Sequence, residues 1–389
     1  MTALQEMHPA RPRADHGPGE PNGRRGDDDG EADVPVRDGW DLMVRRDDLT
    51  AAEIRQAPAA PLRPGEVRLA AERFALTAIT ATYARLGESE LPFFDAFAAP
   101  EGYGRVPAWG CARVEDSRHP RISVGTSYFG FLPLSTHVTL AAEPTERGFD
   151  DIAPERDYLH PWYRGYLRIG EHDARDDHRL LLRPLYPASF NLAEFLVREH
   201  PTAAVLITSA SSKTAVGLAA LLSRREGVTT IGVTSPGNLG FVRSLGHYDM
   251  VTTYDEPAWG EVPEPVVLVD FTGEAGRLFS VYERLGPALK DALLVGYTHP
   301  GAEIEPPEGL TAPEPWIFFT PSEEQRLIEK DGEDSYRTRY QRAENALVED
   351  ARSWLSITRR SGPDALADTY RSLIAGGLPA HTGTVVTPR

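Results

Sequence analysis

The chain has 389 residues, enough for two or three domains, and its 41% hydrophobic and 25% charged residues are an ordinary globular composition. A formal net charge of -17 argues against nucleic acid and anionic membrane as partners, because a polyanion is repelled overall. No apolar run is long enough to span a bilayer as a helix, and the single cysteine, Cys111, excludes an internal disulfide and a four-thiolate zinc site.

The opening, MTALQEMHPARPRAD, lacks an apolar signal-peptide core, so with one cysteine a cytoplasmic location is expected. Residues 1–36 are rich in Gly, Pro and charge and poor in aromatic and β-branched residues, which predicts a disordered tail. From 37 to 183 the chain reads as β-rich. GEVRLAAERFALT (65–77) alternates like a half-buried strand, and WGCARVEDS (109–117), ISVGTSYFGF (122–131) and THVTLAAEP (136–144) follow between Gly and Pro punctuation. Such spacing suggests a small barrel or sandwich.

Residues 184–321 change character. Apolar strands are predicted at 203–211, 229–235, 250–256, 265–273 and 292–299, alternating with helices at 214–225, 239–246 and 274–286. This pattern means a parallel sheet covered on both faces. WIFFTP (316–321) reads as a sixth strand, and a long charged helix is expected over 322–358. Residues 359–389 hold a last helix (364–377) and a closing strand, TGTVVTP (382–388), which finds a partner most simply by returning to the first domain.

Over about 37–389 these segments resemble the medium-chain dehydrogenase/reductase superfamily. GEVRLAAERFALTAITATYARLG is similar to the opening strand and helix of its chaperonin-10-like domain, and ISVGTSYFGFLPLSTHVTL to the strand pair leading towards its nucleotide domain. GVTTIGVTSPGNLGFVRSLGHYDMVTTYDE resembles the second βαβ unit of quinone-oxidoreductase-type members, and LIAGGLPAHTGTVVTP their final helix and strand. VLITSASSKTAVGLAALL, WGCARVEDSRHP and FGFLPLSTH most resemble a zinc-free, quinone-oxidoreductase-like branch catalogued as a bacterial domain of unknown function. The resemblance implies an α/β fold: a Rossmann-type doubly wound parallel sheet plus a chaperonin-10-like β-barrel completed by the C-terminal strand.

The first candidate site is the turn Thr208-Ser209-Ala210-Ser211-Ser212-Lys213-Thr214. Ligands of open α/β sheets bind at the carboxyl ends of strands, where a helix start offers N–H groups to phosphate. Hydroxyls and one ammonium add donors, and Lys213 is one of only three lysines, with Lys290 and Lys330. The alternative is a capping turn with a solvated lysine. The turn departs from G-x-G-x-x-G, since Ser and Ala replace the glycines that let backbone approach a diphosphate, and Gly217 already lies inside the helix. VLVD and SSKT also resemble parts of a P-loop site, but Ile207 and Ser212 stand at its glycine positions.

The second strand ends at Ser235, without the acid that holds a ribose 2′-hydroxyl in an NAD site. Ser235, Asn238, Lys213 and Arg243 are compatible with a 2′-phosphate, which favours NADP as the cofactor. Tyr254, ending the third strand, lies either against the adenine or in ordinary packing. By resemblance, Asp270 with its following turn, and Gly296 with Tyr297, border the nicotinamide end. Tyr83 falls where the superfamily places residues facing the nicotinamide, although Ile79 and Thr80 replace the Asn pair of the branch. His137 is a second candidate proton donor or a satisfied strand-end histidine, and Tyr128 and Phe129 are expected to line the pocket. No metal is expected, and the cluster Glu171, His172, Asp173, Asp176, Asp177, His178 reads as a solvated loop linking domains.

These features predict a zinc-independent, NADPH-dependent oxidoreductase acting on a small enone, quinone or ketone. A cofactor-free binding protein on the same fold and a non-redox lyase or isomerase remain as alternatives. The apolar WIFFTP edge suggests a homodimer.

Overall fold

The computed structural model describes residues 39–389 except 90–91, 172, 174–175, 202, 257–261, 297–308 and 311–312. The expected tail, His172 and Tyr297 lie outside the described residues.

Strands β1 (Trp40–Arg45) and β2 (Asp48–Gln56) form an antiparallel pair ahead of the barrel. β3 (Glu66–Leu76) opens the barrel and leads into helix α1 (Ala78–Arg85), after which the short β4 (Tyr103–Gly104) adds to β1. β5 (Pro107–Ser117), β6 (Ser127–Pro133), β7 (His137–Pro144), β8 (Gly148–Asp151) and β9 (Gly165–Arg168) complete the ring. The order is β3-β5-β6-β9-β8-β7, closed by β7 on β3. Closure removes sheet edges and encloses Val67, Leu69, Phe131 and Leu140.

Helices α2 (Asp177–Leu182) and α3 (Tyr186–Glu199) lead to the second sheet. There β10 (Ala204–Ile207), α4 (Lys213–Leu222), β11 (Thr229–Thr234), α5 (Leu239–Ser244) and β12 (Met250–Thr253) make one half. The other half is β13 (Val266–Asp270), α6 (Ala275–Leu285), β14 (Leu289–Leu294) and β15 (Trp316–Ile317). All six strands are parallel, in the order β12-β11-β10-β13-β14-β15. β10 and β13 are buried along their whole length, which is why their sequences are unbroken apolar runs. The sixth strand is shorter than expected, because Pro321 in the first turn of the next helix suits a helix start.

The single helix expected over 322–358 is instead two, α7 (Thr320–Asp331) and α8 (Glu333–Ala351). Gly332 between them has φ +81°, a conformation that breaks the helix and that glycine adopts at little cost. Residues 356–361 form strand β16 (Ser356–Ser361), not helix. Helix α9 (Pro363–Ile374) joins it to the parallel β17 (Thr382–Thr387). β17 pairs antiparallel with the second half of β3, so the chain does end on the barrel.

The acidic segment at 171–178 is not simply a solvated loop. Asp176 caps α2 and meets Arg352, while Asp177, 2% exposed, takes Arg73 of β3 and Arg359 of β16, each at 2.5 Å. His178 Nε2 lies 3.0 Å from the Leu355 carbonyl. The carboxylate of Asp177 therefore ties the barrel to the closing βαβ unit. The Asp177→Ala variant should lose about 1–3 kcal/mol, because Arg73 is left partly buried and unpaired. Arg359→Ala, on a side chain 73% exposed, should lose less than about 1 kcal/mol. Urea unfolding of the two variants checks the order.

Candidate functional site

β10 sits at the centre of the parallel sheet, and its carboxyl end opens into the bend 208–212. Thr208 is buried. Its hydroxyl donates to Asp270 Oδ1 at 2.5 Å and accepts from the Phe271 N–H at 2.9 Å. Asp270 also accepts from the Thr272 hydroxyl and the Gly273 N–H, each at 2.8 Å. Burial pushes the Asp270 carboxyl up, and these hydrogen bonds oppose the rise. Thr208 and Asp270, both candidate cofactor residues, are buried against each other and fix the ends of β10 and β13.

Ser209 follows with φ +45°, the left-handed region that favours glycine. Its N–H donates to the Tyr254 hydroxyl at 2.7 Å, so the tyrosine at the end of β12 holds the bend. Ala210 is buried; its N–H donates to the Val233 carbonyl and its carbonyl accepts from the Tyr248 hydroxyl. Gly232 makes room for it, since a Cβ there would lie 3.0 Å from Ala210 Cβ and 2.9 Å from the Tyr248 ring. The chain thus reaches the left-handed turn of a glycine loop with a serine.

Ser212 caps α4, its hydroxyl accepting from the Ala215 N–H, and the Asn238 amide donates to Ser211 Oγ at 3.1 Å. Among the described residues, the N–H groups of Ser211, Lys213 and Thr214 have no protein acceptor. The Lys213 ammonium donates to the Ala380 carbonyl at 3.2 Å, beneath the turn before β17. Burial draws its pKa down to about 8. Gly217 allows α3 close, since a Cβ there would meet Ser189 Oγ at 2.7 Å, and that hydroxyl donates to the Thr214 carbonyl. Gly296 likewise fits beside Phe271, its N–H 3.3 Å from the Asp270 carbonyl.

A hollow of about 490 Å³ adjoins the ends of β11 and β12, lined by Ser235, Tyr254, Arg277, Ser280 and Arg284 together with the carboxylates Asp255 and Glu274, the latter 3.7 Å from Arg277 Nε. The Arg277 guanidinium lies 4.2 Å from the centre of the Tyr254 ring. Neither arginine was singled out from the sequence. Their spacing with Ser280 along α6, which places all three on one helix face, is the signal that could have found them.

The barrel candidates are not brought to this bend. Tyr83 is buried, its hydroxyl accepting from Trp109 Nε1 at 2.9 Å, and its ring packs on Phe93, Phe131 and Tyr163. Burial pushes its phenol well up. His137 Nδ1 lies 3.1 Å from Thr136 Oγ1 and its ring fills the space over Gly39, at the start of β7. Burial lowers its pKa, leaving a neutral imidazole at pH 7.

A second cleft, of about 480 Å³, runs between the barrel and helices α7 and α8. Trp109, Phe129, Trp162, Tyr166, Tyr336 and Tyr340 wall it, with Trp109 stacked on Phe129 at 5.4 Å. Phe129 lines this cleft, whereas Tyr128 is buried against Phe149. Pro187 at its edge is two residues from Ser189, which holds the bend at Thr214. Cys111 is buried in β5 with its thiol pushed up to about 12. Among the described residues, no group of three or more His, Cys, Asp or Glu side chains could hold a metal ion.

The family described as Protein of unknown function (DUF2855) matches residues 74–379. The chain belongs to that family. No curated protein matches it in sequence. CurA from Vibrio vulnificus in complex with NADPH is similar in structure, with a TM-score of 0.56 at 13% identity over 87% of this chain and 94% of that one. Mycobacterial Rv1454c complexed with NADPH gives 0.55 at 14%, over 90% and 100%. The quinone oxidoreductase from Coxiella burnetii gives 0.51 at 12%, over 91% and 100%. What this DUF2855 member shares with them is the fold: a closed barrel joined to a six-stranded parallel sheet.

The bend's dependence on Tyr254 is testable. Tyr254→Phe keeps the ring under Arg277 but removes the acceptor for the Ser209 N–H, so urea unfolding should show a loss of about 1–3 kcal/mol. An unchanged midpoint would mean that the bend holds itself.

Proposed function

We propose that the protein is a zinc-independent oxidoreductase that binds NADPH across the carboxyl ends of β10–β14 and reduces an enone, quinone or ketone. The observation that carries this reading is the bend itself: a left-handed backbone without glycine, three N–H groups without acceptors at the start of α4, and the Lys213 ammonium beside them. Together these suit a diphosphate. The absence of an acid directly after β11, with Ser235 and the two arginines Arg277 and Arg284 beside Asp255 and Glu274 in the adjoining hollow, favours a 2′-phosphate and so NADP over NAD. Similar folds that carry NADPH support the same reading. Bound there, NADPH would supply a hydride; the chain's part is to bind and orient it.

A second reading is a cofactor-free binding protein. It is favoured by the bonds that Lys213 makes to Ala380 and Asn238 to Ser211, since both donor and hydroxyl are already engaged within the protein. A homodimer through the β15 edge, where Trp316 is exposed, is compatible with either reading.

Titration of the protein with NADPH and NADH, followed by cofactor fluorescence, separates the two. Saturable binding with NADPH preferred is expected, and no saturable binding of either would remove the oxidoreductase reading. Lys213→Ala should weaken NADPH about tenfold or more. Arg277→Ala should weaken NADPH more than NADH.

The affinity should also depend on pH. Lys213 has its pKa lowered in the folded protein, so its charge is present below about 8 and lost as pH rises through that value. NADPH affinity should therefore be flat below pH 8 and fall above it. The Lys213→Ala variant should not show that fall.

A further inference from the structure

The aromatic cleft between the barrel and α7/α8 holds charges of both signs. Glu333 pairs with Arg337, and Glu344 with Arg183 at 3.4 Å. Arg147, in the turn between β7 and β8, lines the cleft and feels the charges of Glu333 and Glu324. Glu324 of α7 faces Arg147, Arg337 and the Trp162 indole. Tyr336 and Tyr340 of α8 also feel its charge, and Asp150 lines the cleft nearby. A ligand anion would meet four carboxyl groups there, and a ligand cation three guanidinium groups. The walls suit a flat, neutral, conjugated body, and the volume suits a small molecule. What such a body needs is an acceptor for the donors at one end.

We propose that this cleft seats a planar conjugated ketone or quinone, stacked among its aromatic walls, with a carbonyl oxygen accepting a hydrogen bond from the protonated Glu324 carboxyl beside Arg147. Burial raises the Glu324 carboxyl to about 7, so the donor form is well populated at neutral pH. The seat names a positioning group for the hydride acceptor, and in that role it rests on the proposed oxidoreductase reading. Binding itself needs no cofactor.

The test is therefore run without NADPH. Trp109 and Trp162 line the cleft, so quenching of intrinsic fluorescence reports occupancy. 1,4-Naphthoquinone is the probe and naphthalene its carbonyl-free control. The quinone should bind saturably at pH 6, and its affinity should fall as pH rises through about 7, where Glu324 loses its proton. Glu324→Leu should weaken the quinone about tenfold or more at pH 6 and leave naphthalene unchanged. Glu324→Gln, which keeps a donor, should restore the affinity and abolish its pH dependence. Equal quinone affinity in the native protein and Glu324→Leu, or affinity independent of pH in the native protein, would overturn the proposal. Lys213→Ala should not alter quinone binding. If NADPH fails to bind while the quinone result stands, the redox reading falls and the seat remains.

Discussion

The arrangement at the sheet's carboxyl edge depends on one buried carboxylate. Asp270 is wholly enclosed, where an unpartnered charge would be very unfavourable. Its two oxygens instead collect the Thr208 and Thr272 hydroxyls and the Gly273 N–H. Those bonds lock the ends of two neighbouring parallel strands in fixed relation. The bend after β10 therefore starts from a fixed point, and Ser209 can be held left-handed by Tyr254 without the freedom of a glycine. A glycine loop gets its shape from the permissiveness of its residues. Here the shape comes from surrounding donors and acceptors.

That difference explains what could be read from the sequence and what could not. The parallel sheet was legible because burial on both faces forces continuous apolar strands, as in Ala204–Ile207 and Val266–Asp270. The return of the last strand was legible from its lack of a nearby partner. The position of the bend was also legible, as a polar turn between a strand and a helix. Its bonding was not, because the partners that fix Thr208 and Ser209 lie 62 and 45 residues away. Neither hydroxyl chemistry nor spacing distinguishes a threonine that grips a neighbouring strand from one that meets a ligand.

Other features hidden in the sequence have the same origin. The charge pattern from 322 to 358 runs on through Gly332, and only the backbone angle there shows the break. Tyr83 and His137 look reactive as residue types, yet an indole and a neighbouring threonine engage their polar atoms inside the barrel. Arg147 and Glu324 are ordinary surface types in the sequence. Only folding sets a hairpin turn of the barrel against the first turns of α7 and so faces the two across an aromatic cleft.

The bend and the cleft are mechanically joined. Helix α3 leaves the barrel at Tyr186, passes the cleft at Pro187, and reaches α4 at Ser189. There a Cβ at Gly217 would meet Ser189, and the Ser189 hydroxyl donates to the Thr214 carbonyl in the first turn of α4. Any ligand that shifts α4 at the bend must therefore move α3 or break that bond, because close-packed helices transmit displacement rather than absorb it. From the other side, Lys213 is bonded to the turn that feeds β17 back into the barrel. An anion drawing Lys213 away would release that turn at its Ala380 carbonyl. Both ends of the bend are thus tied to the barrel, one through helix packing and one through a single ammonium.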